Sequence, residues 1–174
     1  MKTKIYQNFL QTSLGELCFA ASDKGLCLLE FDNKKRISHH FNQIKKYQDF
    51  ELIENKSNPI INLAQQQITD YLAKQNTTFN IPLDILGTDF QKKVWKELQN
   101  ISYGSTRTYK EQAIATGDLK AIRAVANANG QNRISIIIPC HRVVGSNGSL
   151  TGYGGEIWRK KKLLDLESNQ QKLF

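Results

Sequence analysis

The chain has 174 residues, 40 % of them hydrophobic and 23 % charged, which is enough for one medium or two small domains with a real buried core and excludes both a disordered chain and a small disulfide-stapled scaffold. Its longest apolar run, Ile134 to Ile138 with Ser135 inside it, falls far below the roughly 18 residues a bilayer span requires, so no membrane role is expected. The 24 Lys and Arg outnumber the 16 Asp and Glu to give +8, and the excess is uneven: residues 1–85 carry 10 basic and 9 acidic residues, residues 86–174 carry 14 and 7, so a polyanionic partner would meet the second half.

Met1 to Ile5 is charged and no apolar stretch with a small-residue cleavage site follows it, so the cytoplasm is the expected compartment. The first thirty residues read as strands: Leu17 to Ala21 and Leu26 to Leu29 flank Asp23-Lys24-Gly25, a hairpin-type turn signal. Cys18 and Cys27 are then strand residues, and with Cys140 they make an odd count without a CxxC pair, which reads as three thiols rather than a disulfide framework. Residues 33 to 58, including His39-His40 and Lys45-Lys46, show no pattern that commits them to an element. Asn58-Pro59 then offers an N-cap and a first-turn proline, and Ile60, Ala64, Ile68, Tyr71 and Leu72 fall on one helical face. Phe79 to Gly87 reads as a strand and connector, with the domain boundary placed at 85/86.

Thr88-Asp89-Phe90-Gln91 has capping-box form, with Phe90, Val94, Leu98 and Ile101 at helical spacing behind it. Thr108 to Glu111 is a second capping box, opening a short helix with Ala113 and Ile114 that stops at Gly117. Asp118 can cap a third helix running to Gly130, so the pair outlines a helix-turn-helix. That third helix carries alanine at 121, 124, 126 and 128, small side chains that permit close backbone approach, and Arg123 stands among them. Ile134 to Ile138 reads as a short buried strand ended by Pro139. Cys140-His141-Arg142 follows, then a glycine-punctuated loop from Gly145 to Gly155 and a last helix with Trp158, Leu163, Leu164, Leu166, the basic run Arg159 to Lys162 and Glu167. The expected fold class is therefore a two-domain α/β (α+β) protein. Residues 1–85 form a small β-sheet with a helix, and residues 86–174 a mostly helical domain holding the helix-turn-helix and a short active-site strand.

A free thiol is only a few per cent ionised at neutral pH, so a nucleophilic cysteine needs a base or a positive environment. Cys140 has His141 beside it, but adjacent residues on extended backbone point apart, so a bridging water is a natural intermediary. An imidazole that accepts a proton also needs an anion to orient it, and Glu167 is one of few downstream acidic candidates. A cysteine hydrolase would use the same pair, yet nothing in the sequence suggests an oxyanion pocket or an acyl substrate; a non-catalytic helix-turn-helix regulator leaves the Pro-Cys-His-Arg string without a purpose.

Read whole, Ile138-Pro139-Cys140-His141-Arg142-Val143-Val144 resembles the active-site signature of the O6-alkylguanine-DNA alkyltransferases. The resemblance extends over Thr88 to Gln91, Val94-Trp95, Thr108-Tyr109, Arg123-Ala124-Val125, Asn132, Leu150 to Gly155, Arg159-Lys160 and Leu163-Leu164. It implies irreversible transfer of an alkyl group from O6-alkylguanine in double-stranded DNA to the protein's own cysteine, with O4-alkylthymine as a second candidate substrate. By position, Cys140 is the acceptor, His141 its base through a water and Glu167 the residue that orients the imidazole. Asn132 braces the turn between recognition helix and active site. Tyr109 hydrogen-bonds the flipped base and supplies a proton, while Tyr153 and the Gly154 backbone wall its pocket. Arg123 resembles the family's arginine finger, and with Ala124, Ala126 and Asn127 it belongs to a helix that approaches the minor groove. Extrusion of the base also follows from the chemistry, because an O6 substituent inside a base stack is out of a thiolate's reach. The family implies a monomer without cofactor, and Cys18, Cys27, His39 and His40 have no recognisable zinc-ligand spacing, so no metal is expected. Alkyltransferase-like proteins, which bind such lesions without repairing them, are the alternative, but they lack the acceptor cysteine. Three positions depart from the family pattern: Ser102 and Arg133 stand where proline is usual and Ala126 where glycine is. Arg133 is expected at the surface, either solvated or on a phosphate.

Overall fold

The computed structural model describes residues 1–54 and 56–168, and the chain divides into two compact units between Gly87 and Thr88. The first unit is a four-stranded sheet of order β3-β2-β1-β4, built from β1 (Thr3–Thr12), β2 (Gly15–Ala21), β3 (Leu26–Phe31) and β4 (Phe50–Glu54). The β1–β2 and β2–β3 pairs are antiparallel hairpins, whereas β4 runs parallel to β1. That parallel pairing demands a crossover, supplied by helix α1 (Lys34–Ile44) between β3 and β4. Phe41 and Ile44 of α1 join Ile5, Cys18, Ala20 and Leu28 in one core cluster. Helix α2 (Pro59–Leu72) packs on β1, β2 and β3 through Ile61, Ala64, Ile68 and Tyr71. Burial on both faces explains why β3 is apolar at nearly every position instead of alternating. Its one charged residue, Glu30, is fully buried and accepts from His40 Nε2 at 3.0 Å and Arg36 Nε at 2.7 Å, fastening α1 to the sheet. Burial pushes that carboxyl up, but the His40 hydrogen bond, the Arg36 charge and the Phe31 backbone N–H hold it below its ordinary value.

The second unit stacks α3 (Asp89–Gln99), α4 (Tyr109–Thr116) and α5 (Ile122–Gly130), and ends in α6 (Ile157–Ser168). Thr88 and Thr108 both form complete capping boxes, with Gln91 and Glu111. Asp118 caps a 3-10 turn, Leu119–Ala121, that leads into α5. The three helices are tied by buried side-chain bonds: Trp95 Nε1 donates to Ala128 O at 2.8 Å, and Gln112 Nε2 to Val94 O at 3.2 Å. A two-residue parallel ladder pairs β5 (Arg107–Thr108) with β6 (Val143–Val144). This ladder sets the start of α4 beside the Cys140–Arg142 turn.

Six expectations are corrected. Residues 33 to 58 hold a helix and a strand. Residues 79–87 form no strand beyond a single parallel bridge between Leu83 and Leu26. On α2 it is Ile61 that is fully buried, while Ile60 lies at the margin; at the start of α3, Phe90 is exposed. Ile134 to Ile138 is a buried turn, not a strand: Ile137 N bonds Ser135 O, Ile138 N bonds Ile134 O, and Ile136 takes φ 72°. The Asn132 amide closes that turn, accepting from Ile134 N at 3.0 Å and donating to Ile138 O at 2.8 Å, so local bonds replace a ladder. Arg133, expected in solvent or on a phosphate, is buried with its guanidinium 5.2 Å from the Trp95 ring centroid, because the turn folds it inward against α3.

Candidate active site

Cys140 opens a 3-10 turn, Cys140–Arg142, directly after Pro139 and is buried. The same Asn132 Nδ2 that closes the preceding turn also reaches Cys140 Sγ at 3.2 Å. One amide thus fixes the end of α5, the turn and the sulfur together, and a donor aimed at sulfur favours its ionised form.

His141 is fully buried and its Nε2 lies 2.8 Å from Glu167 Oε1. Arg142 grips the same carboxylate, Nε donating to Oε2 at 2.9 Å and Nη2 to Oε1 at 2.9 Å, while its Nη1 donates to Ile101 O at 2.6 Å. Burial would raise the Glu167 carboxyl, but the His141 and Arg142 hydrogen bonds and their charges outweigh it and bring it to about 2. An ionised carboxylate can only accept, so His141 Nε2 carries the proton. Burial, reinforced by the charges of Arg142 and Lys160, keeps the imidazole below its ordinary value despite Glu167. The ring is therefore neutral at pH 7 with Nδ1 as its basic atom, and Nδ1 is buried with no protein hydrogen-bond partner.

On the other side, Tyr109 Oη donates to Thr151 O at 3.0 Å, and Lys160 Nζ donates to the same oxygen at 2.9 Å. Gly152, at φ 65°, lets the loop come this close: a Cβ there would sit 3.0 Å from Tyr109 Oη. Burial and the charge of Cys140 both raise the Tyr109 hydroxyl, while burial lowers the Lys160 ammonium and Cys140 partly restores it. Both groups thus feel the Cys140 sulfur.

The fold brings together Cys140, His141, Glu167, Asn132 and Tyr109. Tyr153 and Gly154 lie half-buried in the loop that Thr151 and Gly152 open. Arg123, Ala124 and Asn127 are exposed on α5 and Ala126 partly so, on the side away from the inward Val125, Ala128 and Asn129. Three participants escape the sequence reading as members of the site: Arg142, Gly152 and Lys160. Lys160 is hidden in a basic run, although Lys160, Leu163 and Glu167 sit at i, i+3 and i+7 and are all buried, a spacing that separates it from its solvent-facing neighbours. Among the described residues no group of three or more His, Cys, Asp or Glu is placed to hold a metal ion, and no helix is long and apolar enough to cross a membrane.

Comparison with known proteins converges on one family. Residues 89–169 match the 6-O-methylguanine DNA methyltransferase DNA-binding domain, and residues 5–85 match the ribonuclease-like domain of the same methyltransferases. A methylated-DNA–protein-cysteine methyltransferase of Methanosarcina barkeri is 43 % identical over 166 residues, covering 95 % of this chain and 98 % of the relative. The constitutive enzyme of that name from Bacillus subtilis is 40 % identical over 154 residues, 86 % of this chain and 87 % of the relative. The crystal structure of Mycobacterium tuberculosis OGT in complex with DNA superposes with a TM-score of 0.81 at 38 % identity, covering 96 % of this chain and 94 % of that one. A cysteine held by an asparagine amide beside a carboxylate-oriented histidine thus sits in a chain alike from end to end to these proteins, and the chain belongs to the 6-O-methylguanine DNA methyltransferase family.

Proposed function

We propose that the protein repairs DNA by moving an alkyl group from guanine O6 to Cys140, once per molecule and irreversibly. The observation that carries this is the neutral His141, oriented by Glu167 and with a buried basic Nδ1, directly following Cys140 in the chain, in a member of this family. His141 Nδ1 takes the thiol proton through a water, and Glu167 stabilises the resulting imidazolium. The thiolate then attacks the alkyl carbon in line with the C–O6 bond, and the guanine leaves with its electron pair and takes a proton from Tyr109 Oη. Nothing in the site could hydrolyse the thioether product, so the protein is consumed.

Double-stranded DNA carrying O6-alkylguanine is the partner this reading requires, approached by α5 from the minor groove. The exposed Arg123 and the small side chains of Ala124 and Ala126 fit that approach, with Arg123 filling the gap left by the flipped nucleotide and Tyr153 and Gly154 walling the base. The protein acts as a monomer in the cytoplasm, a reducing compartment that suits three thiols. Lesion binding without transfer leaves the prepared sulfur unused.

The test is the intact mass of the protein after incubation with a duplex containing one O6-methylguanine. The mass should rise by one methyl, located on Cys140 by peptide mapping. Cys18 and Cys27 are poor rivals, since burial pushes both thiols up to about 12. Turnover beyond one methyl per molecule, or a methyl on either of those cysteines, overturns the reading.

A further inference from the structure

Residues 1–85 are nearly balanced in charge, 10 basic against 9 acidic, but that balance averages two unlike regions. Residues 33–48, which are α1 with its cap and closing turn, hold five basic residues and no acidic one. The rest of the same half holds five basic and nine acidic residues, so it is acidic where α1 is basic. One of the five cations is committed to the fold, since Arg36 binds the buried Glu30. Lys34, Lys35, Lys45 and Lys46 are exposed, and among the described residues none of them pairs with a carboxylate.

This placement runs against helix electrostatics. The first turn of a helix favours anions, and α3 and α4 put Asp89 and Glu111 there. In α1 that turn carries Lys34 and Lys35 and no acidic residue. Asn33 takes Arg36 N on its side chain and Ile37 N on its backbone oxygen, so the Lys34 and Lys35 N–H groups keep no intrahelical acceptor beside their own ammoniums. The fold gains nothing from cations at this end, whereas a bound phosphate would.

We propose that the exposed face of α1 is a contact surface for the phosphate backbone of duplex DNA, separate from the α5 approach described above and independent of the alkyl-transfer reading. The helix is about 16 Å long with lysines at both ends, and a duplex presents a phosphate charge about every 1.7 Å of its axis, so both pairs find phosphates within reach. Between the pairs the exposed Ser38, His39 and Asn42 are also residue types that bond phosphate oxygens without reading bases. An anionic bilayer fits less well, because a helix lying on a membrane inserts an apolar face, and Phe41 and Ile44 of α1 are spent on the core of unit 1. Such a surface adds affinity for any duplex, damaged or not, and so serves the search rather than the chemistry.

Binding of the full chain to an undamaged duplex is measured across salt concentrations for wild type, Lys34→Gln/Lys35→Gln and a control pair, Lys4→Gln/Lys24→Gln, exposed elsewhere on unit 1. In the α1 pair the slope of log K against log salt should fall by about 1.8, so that binding weakens about 60-fold at 0.1 M salt and converges on wild type near 1 M. The control pair should keep the wild-type slope. Transfer from free O6-benzylguanine, which needs no DNA, should stay at the wild-type rate, and the α1 pair should melt no lower than wild type, because two cations have left the positive end of a helix dipole. An unchanged slope, an equal change in the control pair, or a lower melt, which would assign these lysines to the fold, overturns the proposal. So does loss of sedimentation with phosphatidylglycerol vesicles in the α1 pair while its DNA slope is kept, the outcome of a membrane surface. Wild type that takes no alkyl group would refute the alkyl-transfer reading and leave the slope comparison standing.

Discussion

Glu167 binds His141 on one oxygen and Arg142 on both, all three groups buried, so its ionisation is coupled to folding. A carboxyl at about 2 in the folded chain against an ordinary 4.5 stabilises the fold fully above pH 4.5, and that contribution is lost as pH falls towards 2. His141 acts in the same direction at higher pH: its lowered value means the folded chain resists a proton that the unfolded chain accepts below about 6.5. Glu167→Gln should therefore destabilise by about 3 kcal/mol near neutrality, because the buried Arg142 loses its counter-charge. The gap between the two proteins in denaturant melts should be constant above about pH 5 and close as pH drops to about 2. A gap that stays constant down to that pH would mean that Glu167 does not titrate as its contacts require. The same substitution should slow methyl transfer by about tenfold or more at neutral pH while leaving affinity for alkylated duplex nearly intact. Wild-type transfer, for its part, should hold its rate down to about pH 6.5 and fall only on the acid side of it, since neutral His141 is the base.

At the scale of elements, legibility follows the locality of the bonds involved. The Thr88 and Thr108 capping boxes and the Asn58-Pro59 start close within four residues, and each element begins where its cap predicts. Helix α1 is obscured in the sequence because its buried residues, His40, Phe41 and Ile44, include a histidine whose carboxylate partner, Glu30, lies on another element, β3. The Ile134 to Ile138 turn reads as a strand because β-branched residues suit a buried strand, and its real determinant, one Asn132 amide bonded at both ends, leaves no periodic trace. The Cys140, His141 and Tyr109 site is readable from the family string, but the Thr151 carbonyl that joins Tyr109 to Lys160 is backbone and has no sequence signature. That loop yields a matched pair of tests. Gly152 and Gly148 both have positive φ, 65° and 77°, so alanine at either should cost about 1 kcal/mol of backbone strain. Only at Gly152 would the new Cβ meet Tyr109 Oη, while at Gly148 nothing lies within 4 Å. Gly152→Ala should slow transfer from duplex and free base alike, and Gly148→Ala should leave both rates unchanged. Equal defects would show that the loop acts through its flexibility and not through that contact.

Over the whole molecule, the charge excess sits in the half that carries the site, and this separates two ways a basic residue can serve DNA repair. Phosphate-binding lysines and arginines contribute a term without sequence preference, with log K falling by about 0.9 per contact for each log unit of salt. Arg123 lies among alanines on the exposed side of α5, so under the proposed docking it is the long cation that would enter the groove. If its side chain occupies the place of the extruded nucleotide, removing it forfeits compensation for unstacking, on the order of a few kcal/mol, with little change in the number of neutralised phosphates. Arg123→Ala should then slow repair of O6-methylguanine in saturating duplex far more than transfer from free O6-alkylguanine, which needs no extrusion, and its salt slope should match the wild type. An ordinary phosphate contact predicts the reverse pattern, a slope reduced by about one unit and normal repair once the duplex is saturating. Single-turnover rates at saturating duplex, taken across several salt concentrations, distinguish the two, and equal losses on duplex and free base would remove Arg123 from the extrusion step altogether.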